Sequence, residues 1–237
     1  MVHGFAPGAA LAEIRNNGEV YDTVICENTL YNYIYRGDVF LQLTPEHLHN
    51  KGRRHYAANS KRQAARSSNG KSIETRPQEV KARGSFGHWE MDSIMGCKGS
   101  KKALLVLTER RTRMGIVMLL EDHTAASVVK AINRLERRFG KLFYKLFKSI
   151  TVDNGCEFQD FEGKRTVVFF CHPYSAFERG SNENMNRLIR RFFPKGTSFD
   201  TVTPEEVRAA EKWVNSYPRK LLGWQSAATL FEKELLS

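Results

Sequence analysis

The chain has 237 residues, enough for one hydrophobic core and a small second unit. Hydrophobic residues make up 41% of it, and no apolar run approaches the roughly 18 residues that cross a bilayer, so we expect no membrane partner. The formal charge of +11 favours a polyanionic partner, nucleic acid first, over an acidic small molecule. The four cysteines lack metal-ligand spacing, and no secretory signal is present, so we expect a cytoplasmic protein with reduced thiols.

Two short helices are predicted near the N-terminus, over residues 9–15 and 27–35, from their apolar spacing. Two such helices before a basic segment are typical of a helix-turn-helix module, which we assign to residues 1–50. A plain helical pair packed on a larger domain would give the same pattern. In the DNA-binding interpretation, the second helix presents polar side chains to base edges and phosphates: Asn28, Asn32 and Arg36.

A basic linker is predicted over residues 51–86. Residues 51–83 contain ten Lys or Arg against two Glu, few large apolar side chains, and Ser, Asn and Gly throughout. Such a segment is typical of a solvated tether, and it can also neutralise phosphates as it follows a nucleic acid. Arg53 and Arg54 are its first candidates for DNA contact.

From residue 87 onward the pattern predicts an α/β domain that extends to residue 237. Three runs of strand length, rich in Val, Ile and Leu, predict an antiparallel meander, and an amphipathic helix follows over residues 124–139. Two further strands are predicted at 149–153 and 166–171, and the strand-helix-strand order implies a parallel crossover. We therefore predict a mixed five-stranded sheet with flanking helices.

Two helices close the chain, over residues 183–193 and 204–216. Thr203, Pro204 and Glu206 have the spacing of a capping box at the start of the second one.

Three carboxylates stand out by their positions. Asp92 lies in the middle of a strand, where aspartate is uncommon, and Asp153 ends a strand at the sheet edge where ligand sites collect. Glu183 begins a helix, and Glu157 is a spare carboxylate near Asp153. Each position alone also fits an ordinary role, as a solvated strand face, a turn or a surface ion pair with Arg187.

Together, however, two strand-borne aspartates and a helix-borne glutamate on a mixed sheet suit phosphodiester chemistry. Carboxylates hold Mg²⁺ or Mn²⁺, and a pair of such ions can activate the attacking oxygen and stabilise the leaving one.

Four segments carry a family resemblance: GHWEMDSIMG, VDNGCEF, CHPYSAFERGSNENMNRLIRRFFPKGT and NSYPRKLLG. They resemble the DDE transposases of bacterial insertion sequences, particularly the IS-thirty family, and the likeness runs from Gly87 to the end, with TLYNYIYRG and IETRP upstream. The resemblance implies a ribonuclease H-like integrase core that acts as a polynucleotidyl transferase. It also implies a reaction in which water and then a DNA 3′-hydroxyl attack a phosphodiester, with no covalent protein intermediate.

The resemblance also implies which residues act. Asp92, Asp153 and Glu183 would be the catalytic residues and the ligands of Mg²⁺ or Mn²⁺, with two ions expected. The partner would be double-stranded DNA, both element ends and target, bound by a homo-oligomer in the nucleoid. Charge and position in the motifs indicate these DNA contacts: Arg179, Asn182, Asn184, Arg187, Arg190 and Lys195.

Two departures from the family pattern leave an alternative. Members usually carry a further N-terminal helix-turn-helix region that this chain starts too late to contain. Only 29 residues separate Asp153 from Glu183, with the shortfall between Gly163 and Lys164. The alternative is a truncated, inactive DNA-binding regulator or inhibitor of transposition. A ribonuclease H-like nuclease acting on hybrids would use similar carboxylates but would join no DNA ends.

Overall fold

The structure is a computed structural model that describes residues 4–40, 42–48, 71–161, 166–172 and 175–236. The chain forms two compact units: Met1–Arg62 with Tyr217–Ser226, and Gln63–Ser216 with Ala227–Ser237. Arg53 and Arg54 of the predicted linker, and the predicted deletion point between 163 and 164, lie outside the described residues. No helix in the described ranges is long and apolar enough to span a membrane.

The first unit confirms both predicted N-terminal helices, α1 (Pro7–Asn16) and α2 (Glu27–Arg36). Helix α2 ends at Gly37, whose φ of 70° lies in the left-handed region that glycine adopts without strain. Helix α1 packs closely against α2 and against Trp224 at Gly8, where an added Cβ would lie 2.7 Å from Glu27 Oε1 and 2.8 Å from the Trp224 ring. Its described residues also include the 3₁₀ turns Pro45–His47 and Lys220–Leu222.

The second unit is built on one six-stranded sheet, in the order β1-β6-β5-β2-β3-β4. The strands are β1 (Lys71–Ser72), β2 (His88–Met95), β3 (Ala103–Glu109), β4 (Gly115–Leu120), β5 (Ser149–Val152) and β6 (Val167–Phe170). Strands β2, β3 and β4 form the predicted antiparallel meander, and β5 and β6 follow in parallel beside β2. The mixed α/β class, the antiparallel meander and the parallel crossover are therefore confirmed.

The predicted count of five strands is wrong, since β1 is a sixth strand. It lies within the stretch predicted as linker. Both of its residues are polar and exposed, so it has no apolar alternation to signal a strand. It exists because Lys71 and Ser72 pair with Phe169 and Phe170 of β6. The same stretch also contains the 3₁₀ turn Ile73–Thr75 and helix α3 (Gln78–Lys81).

Helices cover both faces of this sheet. The remaining ones are α4 (Ala125–Phe139), α5 (Phe143–Leu146), α6 (Gly180–Ile189), α7 (Pro204–Ser216) and α8 (Ala227–Leu236). Alternation along the strands separates two cores. Met91 and Leu105 pack with α4, whereas Leu104 and Val106 pack with α6 and α7.

The predicted capping box begins α7. The backbone N–H of Thr203 donates to Glu206 Oε2 at 2.8 Å, and the backbone N–H of Glu206 donates to Thr203 Oγ1 at 3.2 Å. By contrast, α6 begins at Gly180, three residues before the predicted start at Glu183. A buried side chain from β2 binds its first turn, a tertiary contact without a local sequence signal.

Candidate active site

Asp92 and Asp153 come from two neighbouring parallel strands. Asp92 lies within β2, opposite Val106 of β3, and Asp153 follows the last residue of β5. Because β5 pairs directly with β2, the two aspartates lie close together at one region of the sheet. This arrangement matches the position predicted for a ligand site at the carboxyl end of a strand.

One cation, Arg179, lies between these two carboxylates. Its Nη1 is 2.9 Å from Asp92 Oδ1, and its Nη2 is 2.9 Å from Asp153 Oδ2. Arg179 ends a short 3₁₀ helix, Ala176–Arg179, that leads directly into α6, and only 13% of its side chain is exposed. The predicted DNA contact is therefore an internal partner of both aspartates in this structure. Asn186 on α6 also donates to Asp92 Oδ2 at 2.8 Å.

The turn after β5 orients Asp153. The backbone N–H of Gly155 donates to Asp153 Oδ1 at 3.0 Å, and Asn154 Nδ2 donates to the carbonyl oxygen of Cys171 at 2.8 Å. Burial raises the pKa of the Asp153 carboxyl, Arg179 opposes that rise, and the nearby Asp92 adds to it. Arg179 therefore favours the carboxylate form of Asp153.

Glu157 supports this turn from the other side of β2. Its Oε1 accepts a hydrogen bond from Ser93 Oγ at 2.7 Å and lies 2.9 Å from His123 Nε2. A Cβ at Gly155 would collide with Glu157 Oε2. Glu157 is therefore a buried partner of Ser93 and His123 rather than a spare carboxylate, and no sequence spacing signals a contact between residues so far apart.

Glu183 is exposed on the first turn of α6. Within the described residues, no hydrogen bond or ion pair joins it to the two aspartates, and no group of three or more His, Cys, Asp or Glu side chains is close enough to hold a metal. The structure thus brings together two of the three predicted ligands, Asp92 and Asp153. Glu183, the third, lies on α6, which contacts Asp92 through Asn186 and follows directly after Arg179.

Asn182, which was predicted to contact DNA, has a fully buried side chain in this structure. With its amide oriented to satisfy the neighbouring groups, its oxygen accepts from the Asp92 backbone N–H at 2.9 Å and its nitrogen donates to the Glu90 carbonyl oxygen at 3.2 Å. Asn182 therefore holds α6 on β2. The asparagine residue type predicted a polar contact, but it could not predict that the side chain is buried.

The other predicted DNA contacts differ in their surroundings. Arg190 donates to the carbonyl oxygen of Met95 at 2.8 Å and so holds the end of β2, while Arg187 donates to Asn184 Oδ1 at 2.7 Å. The exposed candidates are Asn28, Asn32, Arg36, Arg187 and Lys195.

The donor set fits a divalent metal ion. Asp92 and Asp153 offer carboxylate oxygens, the ligands that Mg²⁺ and Mn²⁺ prefer, and both oxygens already contact one positive group. A pair of carboxylates arranged around one cation can accept another cation in its place.

Comparison with known proteins gives several similar transposases, although no protein-family model matches. The probable transposase of insertion-like sequence element IS1161 from Streptococcus salivarius is 37% identical over 86% of this chain and 58% of its own length. The transposase of element IS4351 from Bacteroides fragilis is 32% identical over 97% of this chain and 70% of its own length. Transposase InsI of element IS30C from Escherichia coli K12 is 34% identical over 88% of this chain.

The catalytic core domain of BIV integrase is similar in structure, with a TM-score of 0.47, 16% identity and coverage of 63% of this chain and 96% of that one. The chain spans 58% of the length of the IS1161 relative and 56% of the IS30C relative. The relative from Bacteroides fragilis, however, is 32% identical and is matched over 70% of its length. The chain belongs to the IS30 (IS-thirty) family of insertion-sequence transposases.

Proposed function

We propose that this chain supplies the catalytic core of an insertion-sequence transposase, a DDE-type polynucleotidyl transferase that cleaves DNA strands and joins them to new sites. The observation that carries the proposal is the pairing of Asp92 and Asp153 from adjacent strands around a single cation. Membership in a transposase family supports the same activity.

Asp92, Asp153 and Glu183 would hold Mg²⁺ or Mn²⁺, as two ions. When bound, the ions supply activation of the attacking oxygen and charge stabilisation of the leaving oxygen. The protein's own contribution is to orient these ligands. The Gly155 N–H and Arg179 hold Asp153, and Asn186 and Arg179 hold Asp92, so both carboxylates are fixed before any substrate arrives.

We propose double-stranded DNA, at element ends and target, as the substrate, bound by a homo-oligomer in the cytoplasm. The formal charge of +11 supports a polyanionic partner. Exposed side chains on two different helices suit phosphate and base contacts: Asn28, Asn32 and Arg36 on α2, and Arg187 on α6. Lys195 follows α6 and is also exposed.

The test uses supercoiled plasmid DNA with Mg²⁺ or Mn²⁺, and a labelled duplex with a free 3′-hydroxyl as the strand to be joined. We expect metal-dependent nicking and joining. The rates of nicking and of joining should each fall by on the order of a hundredfold or more in three variants: Asp92→Asn, Asp153→Asn and Glu183→Gln. The matched control Glu205→Gln, an exposed glutamate on α7, should keep wild-type rates.

Other outcomes separate the alternatives. Cleavage of RNA–DNA hybrid with no joining of DNA ends would favour a nuclease. DNA binding by gel shift in every variant, with no metal-dependent product from the unmodified chain, would contradict the proposal and favour the inactive regulator.

A further inference from the structure

Glu90 is a fully buried glutamate on β2, two residues before Asp92 and on the same face of the sheet. Its carboxylate accepts hydrogen bonds from three donors. Arg110 Nη1 is 2.6 Å from Oε1, and the backbone N–H groups of Ser181 and Asn182 are 2.9 and 3.0 Å from Oε2. Glu90 therefore connects β2 to Arg110, directly after β3, and to the first turn of α6.

These contacts satisfy two needs of α6. The first-turn N–H groups of a helix have no partner within the helix, and leaving them buried and unbonded would be costly. A carboxylate at that end is also favoured by the helix dipole. The charge of Glu90 is in turn neutralised by Arg110, which is itself buried.

The anchored residues immediately precede Glu183. Ser181 accepts a further hydrogen bond from Arg113, and the buried Asn182 side chain bonds to the backbone of β2. The start of α6 is thus fixed to the strand that carries Asp92, at the two residues before the predicted third ligand.

We propose that Glu90 is a positioning residue that sets Glu183 relative to Asp92 by binding the first turn of α6. This inference rests on the proposed metal site. Glu90 contacts neither metal nor DNA and acts only through the helix, so its loss lowers the contribution of Glu183 to metal binding.

Glu109 on β3 provides a matched control for a role in stability alone. It is equally buried and accepts hydrogen bonds from the N–H groups of Gly87, Arg111 and Thr112 and from Thr112 Oγ1. None of these donors belongs to α6. Glu109→Gln therefore changes a buried carboxylate of β3 that makes no hydrogen bond of its own to the helix that carries Glu183.

The test measures Mn²⁺ binding to the full chain by electron paramagnetic resonance. Six proteins are compared: wild type, Asp153→Asn, Glu90→Gln, Glu109→Gln, Glu183→Gln and the double variant Glu90→Gln/Glu183→Gln. We expect Glu90→Gln to weaken Mn²⁺ binding roughly tenfold, as loss of a partner that orients a ligand does. Glu109→Gln should lower the unfolding midpoint but keep wild-type Mn²⁺ affinity. In the Glu183→Gln background, Glu90→Gln should have no further effect on affinity, because it acts through the missing ligand.

Unchanged Mn²⁺ affinity in Glu90→Gln, or an equal loss in the Glu183→Gln background, would overturn the inference and leave the proposed function standing. If the wild type binds no Mn²⁺, or if Asp153→Asn leaves its Mn²⁺ binding unchanged, the proposed function is overturned, and the inference with it. Should Glu90→Gln fail to fold, amide hydrogen exchange of the wild type decides. Protection at Ser181 and Asn182 is expected, and exchange at the rate of free amides would overturn the anchoring role.

Discussion

At the scale of single residues, Arg179 has a consequence for metal binding. Its guanidinium lies 2.9 Å from an oxygen of each aspartate, so an arriving divalent ion must compete with it for the same two carboxylates. A displaced Arg179 would then be free to meet a phosphate, which suits its planar donor geometry. Metal binding and DNA binding would thereby be coupled through one side chain.

Replacing Arg179 by Gln should therefore tighten Mn²⁺ binding. Removing a positive charge next to two carboxylates leaves their negative charge for the ion, and we expect an increase of roughly tenfold in affinity. Isothermal titration calorimetry of the full chain with Mn²⁺ measures this affinity. Arg208→Gln, an exposed arginine on α7, is the control and should bind as the wild type does. Equal or weaker binding by Arg179→Gln would show that Arg179 does not compete with the ion.

Some of the site residues could be predicted from the sequence alone. Asp92 was identifiable because aspartate is uncommon in the middle of a strand, and Asp153 because it ends a strand at the sheet edge where ligand sites collect. Arg179 and Asn182 were assigned to DNA from charge and residue type alone. Within the chain, Arg179 contacts a pair of carboxylates and Asn182 contacts the backbone of β2, and no sequence spacing reveals either contact.

At the scale of elements, β2 holds the second unit together. It pairs with β3 on one side and β5 on the other, and His88 at its start bonds through Nδ1 to Ser149 Oγ of β5 at 2.7 Å. Burial lowers the pKa of His88 to about 4, with Lys148, Arg110 and Arg76 adding to the effect. His88 is therefore neutral in the folded protein at pH values where it is protonated in the unfolded chain.

This shift predicts a pH dependence of stability. Between about pH 6.5 and 4, His88 is protonated in the unfolded chain but neutral in the folded protein. The free energy of unfolding therefore falls as the pH falls. His88→Gln should lose less stability across that window than the wild type, by urea denaturation at several pH values. His172→Gln should differ from wild type in the opposite sense, since hydrogen bonding to Glu178 raises the pKa of His172. Identical slopes for His88→Gln and wild type would contradict this account.

Elements with strong local signals were predicted well. The meander, α4 and α7 combine clear periodicity with caps or turns, and each is where the pattern indicates. Strand β1 and the start of α6 were missed because partners distant in sequence create them, β6 in one case and Glu90 in the other. Local propensity carries no trace of such contacts.

At the scale of the whole molecule, the chain is divided into two units, and the predicted domain boundaries at residues 50 and 86 stay predictions. The assignment of Tyr217–Ser226 to the first unit had no sequence signal. It follows from contacts across the chain: Phe5 packs edge-on against Tyr217 at 5.2 Å between ring centroids, and Asn16 Nδ2 donates to the carbonyl oxygen of Trp224 at 3.0 Å.

Anomalous X-ray diffraction from crystals of the full chain grown with Mn²⁺ tests whether Asp92, Asp153 and Glu183 form one metal-dependent site. We predict anomalous density at the carboxylates of Asp92 and Asp153, with Glu183 turned toward the ion and Arg179 withdrawn from between the aspartates. Anomalous density elsewhere only, with Arg179 still bridging Asp92 and Asp153, would contradict it.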